Sequence, residues 1–362
     1  MSSRSTDIIF LLGAGASVEA GIPASATMVD EIERLLAKDN DWQQFHRLYN
    51  HVKSAIHYSA GLKGKFGRDV PFNIETLVIA LYELERNEEH PLYPFIASWN
   101  TRFVALANND FSNVKAFRRL ILRELKKWMC PEDTSKSQYY KGFESIQRVV
   151  NYPLHIFSLN YDLCMERLNN TNFQIETGFA GYGPDCLWDW ERFEQNESMA
   201  NPSAALFLYK LHGSMNWKRD DAKNLYSVEQ IERVEYDRME VIFGRDFKLE
   251  AADPYLFYAY QFRRFTLAAR LVVVIGYGFA DSHINKMLSQ ALRSEGTRKI
   301  LVVARCDTDE ECKKREQEIA ESLEAKPDQV TLVKGTAKSF LESDNLGDYL
   351  VGLIPKAENE PF

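Results

Sequence analysis

Ile8-Ile9-Phe10-Leu11-Leu12-Gly13-Ala14-Gly15-Ala16-Ser17, continued by Val18-Glu19-Ala20-Gly21-Ile22-Pro23, is the stretch that decides the fold. A continuous apolar run rich in β-branched and large side chains, ended abruptly by Gly-x-Gly and small residues, reads as a buried strand entering a tight turn. Gly13 and Gly15 carry no Cβ that would hold a diphosphate away from backbone N–H groups, and the residues after them can open a helix whose N-terminus favours an anion. The implied ligand is a nucleotide.

Two common nucleotide folds are disfavoured. The dinucleotide fingerprint wants a third glycine where this chain has Val18. It also wants an acid closing a second strand about 20 residues on. Glu31 and Glu33 lie at that distance, but Met28, Val29, Ile32, Leu35 and Leu36 share one helical face, which places those acids on a helix. No Gly-Lys-Ser/Thr follows Gly13 at the spacing of a Walker loop.

The 362 residues are 45% hydrophobic and 12% aromatic, enough for a sizeable core in one large domain or two smaller ones. A formal net charge of −8 gives no global sign of nucleic-acid binding. The basic stretch from Arg118-Arg119 to Lys126-Lys127 is interleaved with Val114, Phe117, Leu120, Ile121 and Leu125, and is expected to be the solvated face of an amphipathic helix. Neither a signal peptide nor an apolar run of roughly 18 residues is present, so a cytoplasmic protein with no membrane contact is expected. The five cysteines (Cys130, Cys164, Cys186, Cys306, Cys312) are scattered without a C-x-x-C pair, which fits a reducing compartment and leaves no cysteine-pair zinc site; no metal is expected.

Strand-like runs recur at 8–12, 154–159, 206–211, 240–243, 271–275, 300–304 and 330–333. Several are apolar throughout, as in parallel strands covered on both faces. The expectation is an α/β fold, a doubly wound, Rossmann-like and mostly parallel sheet, with an inserted or adjacent helical module at about 40–150, the chain forming a single domain over 1–355 with a frayed tail at 356–362. Within the module lie the amphipathic segment Ile74–Leu84 and an aromatic-rich region around Trp99. Ser59–Pro71 and the Gly178–Ala205 tract read as connectors or lids.

Three further constellations carry polar chemistry. Ile156-Phe157-Ser158-Leu159-Asn160-Tyr161-Asp162 delivers Asn160 and Asp162 at a strand's C-terminal end, the edge where open α/β sheets bind ligands. Spaced by two, they would face one side; alternatively Asp162 caps a helix over Leu163–Leu168. Leu208-Tyr209-Lys210-Leu211-His212-Gly213-Ser214 puts His212 at the same edge, with Lys210 expected to border the surface. Leu271 to Ile275 runs into a second Gly-x-Gly turn, Gly276-Tyr277-Gly278, followed by Phe279-Ala280-Asp281-Ser282-His283-Ile284-Asn285, in which Asp281 can cap a helix.

The ordered set Gly13-Ala14-Gly15-Ala16-Ser17 with Gly21-Ile22-Pro23, Asn160-Tyr161-Asp162, His212-Gly213 and Gly276-Tyr277-Gly278 resembles the sirtuin superfamily, over about residues 8–290. The chain departs from the protein deacylases of that family, which carry Asp-Phe-Arg after Gly-Ile-Pro and a four-cysteine zinc module, where this chain has Ala24-Ser25-Ala26 and no cysteine pairs. In its wording it is similar to the bacterial sirtuin-like branch of antiphage defence proteins, NAD glycohydrolases that deplete NAD on infection.

The resemblance implies NAD as substrate, with Asn160 and His212 catalytic. Gly13, Ala14, Gly15, Ala16 and Ser17 would cradle the diphosphate; Asp162 would bind the nicotinamide amide under Ile22 and Pro23; Gly276, Tyr277 and Gly278 would meet the adenosine end. It implies a homo-oligomer and, since no sensor module is expected on this chain, a separate partner, the short architecture being similar to the subunit that assembles with a HerA-type hexameric ATPase. Two alternatives stand beside it: a non-catalytic NAD or ADP-ribose binding subunit, and an NAD-dependent protein deacylase.

Overall fold

The computed structural model describes the chain except for residues 1–5, 68–69, 71, 86–100, 109, 132, 181–184, 200–202, 242–252 and 356–362. The expected tail, the region around Trp99, the glycines and prolines at 181, 183, 184 and 202, and the end of the run at 240–243 lie outside the described residues. The chain divides into two compact units, one of Met1–Ile22, Met129–Val241 and Asp246–Phe362, the other Pro23–Trp128 with Ile242–Arg245.

Strands of the first unit follow the chain as β1 (Ile8–Leu12), β2 (Leu154–Ser158), β3 (Ile175–Glu176), β4 (Phe179–Ala180), β5 (Asp185–Trp188), β6 (Leu206–Lys210), β7 (Gly213–Arg219), β8 (Leu225–Val228), β9 (Met239–Val241), β10 (Leu271–Ile275), β11 (Lys299–Ala304) and β12 (Val330–Lys334). Seven form a sheet in the order β12-β11-β10-β1-β2-β6-β3, parallel at every pairing. From β1 the chain moves one way to β2 and β6, and later the other way to β10, β11 and β12. The topological switch therefore lies between β1 and β10, and the fold is doubly wound α/β.

Every residue of β1, β2, β6 and β10 is buried, which explains why β1 and β10 read as unbroken apolar runs and β2 and β6 as mainly apolar ones. Side chains alternate between faces. Ile9, Leu11, Phe157, Tyr209, Val272 and Val274 share one core with Phe262 and Phe265 of helix Tyr255–Ala268 and with Ile284, Leu288 and Leu292 of helix Ser282–Ser294. Phe10 points the other way and meets Phe143 of helix Gly142–Val150 edge-on at 5.2 Å.

A second sheet, β4-β5-β8-β7-β9, is antiparallel and was not anticipated. The tract Gly178–Ala205, read as a connector, contains β4, β5 and helix Glu191–Ser198. β5 alternates exposed and half-buried residues, a pattern too short and too polar to stand out. Gly178 is required there: a Cβ on it would sit 2.1 Å from the Trp188 ring.

The helical unit contains helices Ser25–Lys38, His46–Gly61, Ile74–Glu85, Thr101–Ala107 and most of Ser112–Met129. Its core is aromatic: Phe117 stacks on Phe45 at 5.2 Å and meets Trp42 and Tyr49 edge-on. The solvated-face reading holds for the exposed Arg119 and Lys127 of helix Ser112–Met129 but not for Arg118, which is buried with its guanidinium on Glu85 through Nε at 2.5 Å and Nη2 at 3.3 Å. Cys306, just after β11, is bonded to Cys312 in the first turn of helix Asp309–Ser322, a pairing that the cysteine spacing did not announce. No helix among the described residues is long and apolar enough to cross a membrane.

Candidate functional site

Four neighbouring parallel strands, β10-β1-β2-β6, end level with one another: Leu12 pairs with both Ile275 and Ser158, and Ser158 with Lys210. The residues singled out by sequence follow those ends directly. Gly13 follows β1, Asn160 stands two past β2, His212 two past β6, and Gly276 follows β10. The parallel topology alone therefore gathers all four turns at the carboxyl edge, beside the switch point.

The two glycine turns pack on each other. Gly13 N–H donates to Ile275 O (3.0 Å), Gly15 N–H to Gly276 O (2.8 Å) and Ala16 N–H to Gly13 O (2.8 Å). A Cβ on Gly13 would lie 2.6 Å from Tyr277 Cα, and one on Gly15 2.8 Å from Gly276 Cα. The sequence reading assigned these glycines to an approaching diphosphate. In the folded chain a backbone already stands there, so the glycines serve turn-to-turn contact and three N–H groups are committed within the protein. The chain then continues as a tight 3-10 helix, Ala14–Ala20, in which Ala16 and Ser17 are buried.

Ser17 centres a buried polar cluster. Its hydroxyl donates to Asp162 Oδ2 (2.7 Å), accepts from Asn160 Nδ2 (3.0 Å) and lies 2.9 Å from the Tyr140 hydroxyl. Tyr139 and Tyr140 both donate to Ala16 O, at 2.5 and 2.9 Å. Asp162 Oδ1 accepts from Cys164 N–H (2.9 Å). Asn160 and Asp162 do converge on one side, though β2 has already ended and a turn brings them there. The helix expected over Leu163–Leu168 is only the 3-10 segment Glu166–Leu168. Burial and the Asp162 carboxylate push the Cys164 thiol up, which favours its protonated form over the thiolate.

His212 occupies the short link between β6 and β7, where Gly213 with φ +84° lets the chain turn out of the parallel sheet. Its Nε2 lies 3.3 Å from Asp281 Oδ2. Asp281 Oδ1 accepts from His283 N–H (2.8 Å) and Ile284 N–H (3.1 Å), capping helix Ser282–Ser294. Burial works to raise the Asp281 carboxyl, but the His212 hydrogen bond and the two cap N–H groups together hold it below the ordinary carboxylate range. The loop carrying Asp281 is braced from within. The Tyr277 hydroxyl accepts from Asp281 N–H (3.1 Å) and reaches Asn285 Oδ1 (2.9 Å), while Asn285 Nδ2 donates to Phe279 O (2.7 Å).

Lys210, expected near the surface, is buried. Its ammonium donates to Asp162 O and to Glu166 Oε1 (3.0 Å), tying the end of β6 to the turn after β2. Ile22 is buried beside this turn system, its N–H bonded to Ser17 O (3.3 Å). Pro23 opens the helical unit. Gly278 has open space around the place of a Cβ. Tyr140 and the contact of Asp281 with His212 are what the sequence reading missed, while Lys210, weighed there as the lesser candidate, is buried and not at the surface. Among the described residues no group of three or more His, Cys, Asp or Glu side chains could hold a metal ion.

No curated protein matches the chain. Among solved structures it is similar to a Sir2 homologue in complex with NAD (13% identity, 96% of this chain and 90% of that one, TM-score 0.43). It is also similar to a structure solved for the mechanism and regulation of Sir2 enzymes (12%, 93% and 90%, TM-score 0.40). A Sir2 homologue variant in complex with ADP-ribose is comparable (13%, 88% and 90%, TM-score 0.36). Superpositions this loose say nothing of chemistry. Residues 154–326 match the family model described as SIR2-like domain, a stretch that holds Asn160, Asp162, His212, the second glycine turn and Asp281.

Proposed function

We propose that the chain is an NAD glycohydrolase that cleaves the nicotinamide–ribose bond. Water adds to the ribose carbon as nicotinamide leaves, giving ADP-ribose, nicotinamide and one proton. The observation that carries this reading is the gathering of Asn160, Asp162, His212 and both glycine turns at one carboxyl edge beside the switch point. The SIR2-like match over 154–326 supports it.

Bond cleavage leaves positive charge on the ribose, so the site must hold the sugar and orient a water near anionic and dipolar groups. The Asn160 amide, oriented by Ser17, would hold the ribose and the water. His212 would contact the ribose hydroxyls and move the proton, its ring offering one nitrogen to Asp281 and the other to the reaction. Asp162 would receive the nicotinamide amide, with Ile22 buried in the same turn system. Because Gly13, Gly15 and Ala16 N–H groups are committed, the diphosphate would be met by the outward side of Ala14 and Gly15, which are exposed. Gly276 to Gly278 would face the adenosine end.

A constantly active NADase would be toxic to its host cell, so activity belongs under the control of assembly, as a homo-oligomer with a separate partner. The partner implied by the resemblance is a HerA-type ATPase, in antiphage defence. The test is nicotinamide release from NAD by the purified chain, alone and with a co-purified partner. Asn160→Ala and His212→Ala are expected to lower kcat at least a hundredfold, on the order of one general acid–base contribution. Variants as fast as the parent would remove the assignment, and tight NAD binding with no turnover in any assembly would favour a binding subunit instead.

A further inference from the structure

We propose that Asp281 is a positioning residue for His212, fixing the imidazole in the tautomer that carries its proton on Nε2 and leaves Nδ1 as the proton acceptor. The inference rests on the glycohydrolase reading for its catalytic consequence, but the pairing itself rests on geometry.

An ionised carboxylate only accepts hydrogen bonds, so a ring nitrogen 3.3 Å from Asp281 Oδ2 must be the protonated one. The carboxylate cannot swing to follow the ring. Its other oxygen is held by two N–H groups at the N-terminus of helix Ser282–Ser294, and its own N–H is held by Tyr277. Helix and loop thus present one lone pair in one place. The pair also reaches across the edge of the sheet: β1 and β2 lie between the strand ends that carry His212 and Asp281, three strand steps or about 14 Å at ordinary spacing. A contact made over that span aligns the β6 link with the second glycine turn.

The same carboxylate could be there only to cap its helix. Asn separates the two roles, because it caps a helix as well as Asp does while turning a donor toward the ring. For Asp281→Asn, thermal unfolding is expected to match the parent. Imidazole 15N NMR of the full chain, with the His212 signals assigned by their loss in His212→Ala, is expected to show Nε2–H in the parent and Nδ1–H in the variant. With NAD, kcat is expected to fall at least about a hundredfold while KM stays within about threefold, as befits a lost acid–base tautomer. An unchanged tautomer in Asp281→Asn overturns the proposal whether or not the chain hydrolyses NAD, and so does a parent-like kcat. A parent that releases no nicotinamide in any assembly defeats the glycohydrolase reading, while the tautomer measurement still decides the pairing.

Discussion

Replacing Gly276 by alanine tests whether the glycine turns hold the fold together or only make room for a ligand. Gly276 has φ +66°, and a Cβ there would lie 2.1 Å from Ala16 N and 2.3 Å from the Gly15 carbonyl carbon. The left-handed conformation costs a non-glycine residue about 1 kcal/mol. Relieving the clash pushes the two turns apart and weakens the Gly15 N–H bond to Gly276 O and the Gly13 N–H bond to Ile275 O, each worth about 1 kcal/mol. Overpacking against backbone that cannot give way adds about 1–3 kcal/mol. The total is about 4–6 kcal/mol, which for a unit of this size lowers Tm by about 10–20 °C. The control lies two residues on, where a Cβ on Gly278 meets nothing within 4 Å; Gly278→Ala should stay within about 0.5 kcal/mol of the parent. Both are read by circular dichroism melts without ligand. A Gly276→Ala protein melting within about 2 °C of the parent, or a Gly278→Ala protein equally destabilised, refutes the turn-packing account.

Two further perturbations follow from buried groups around the same strands. The His155 ring is stacked on Phe207 and tilted against Phe265, and its burial, aided by the Arg264 charge, pushes its pKa down to about 3. Since the unfolded ring titrates near 6.5, the folded state loses stability as pH falls from about 6.5 to about 3, at about 1.4 kcal/mol per pH unit. His155→Phe should flatten that slope in urea titrations between pH 6 and 4, and an unaltered slope would assign the acid sensitivity elsewhere. Lys210→Met leaves the Glu166 carboxylate without its ammonium and should cost about 2–4 kcal/mol, discounted because Glu166 is partly exposed. Adding Glu166→Gln should recover about half of the loss, and a single variant as stable as the parent would show that the pair contributes nothing.

The parallel sheet was legible because strands buried on both faces have no polar alternation to disguise them. β1 and β10 match their apolar runs to the residue, and β2 and β6 to within one. The antiparallel sheet was not legible: β4 and β5 are short, partly exposed and embedded in a Gly- and Pro-containing tract whose composition reads as loop. Arg118 and Lys210 misled for a common reason. A cation in a polar-looking pattern is read as solvated, and only tertiary contact supplies the carboxylates, Glu85 and Glu166, that make burial tolerable.

By itself the sequence determined β1, β2, β6, β10, β11 and β12 of the parallel sheet and the placement of Gly13, Asn160, His212 and Gly276 just past strand ends, because period and turn chemistry are local properties. Sheet order then brought those ends together, and no local rule states that order. Only the tertiary structure decided what the residues do for one another. Gly13 and Gly15 are glycines because the backbone of Gly276 and Tyr277 occupies the space of their Cβ atoms. Ser17, Asn160 and Asp162 share one hydrogen-bonded cluster across more than a hundred residues of chain. Asp281, which reads as a plain helix cap, also holds His212. Contacts between residues far apart in sequence depend on strand order and loop reach, and neither is written in the spacing of any one motif.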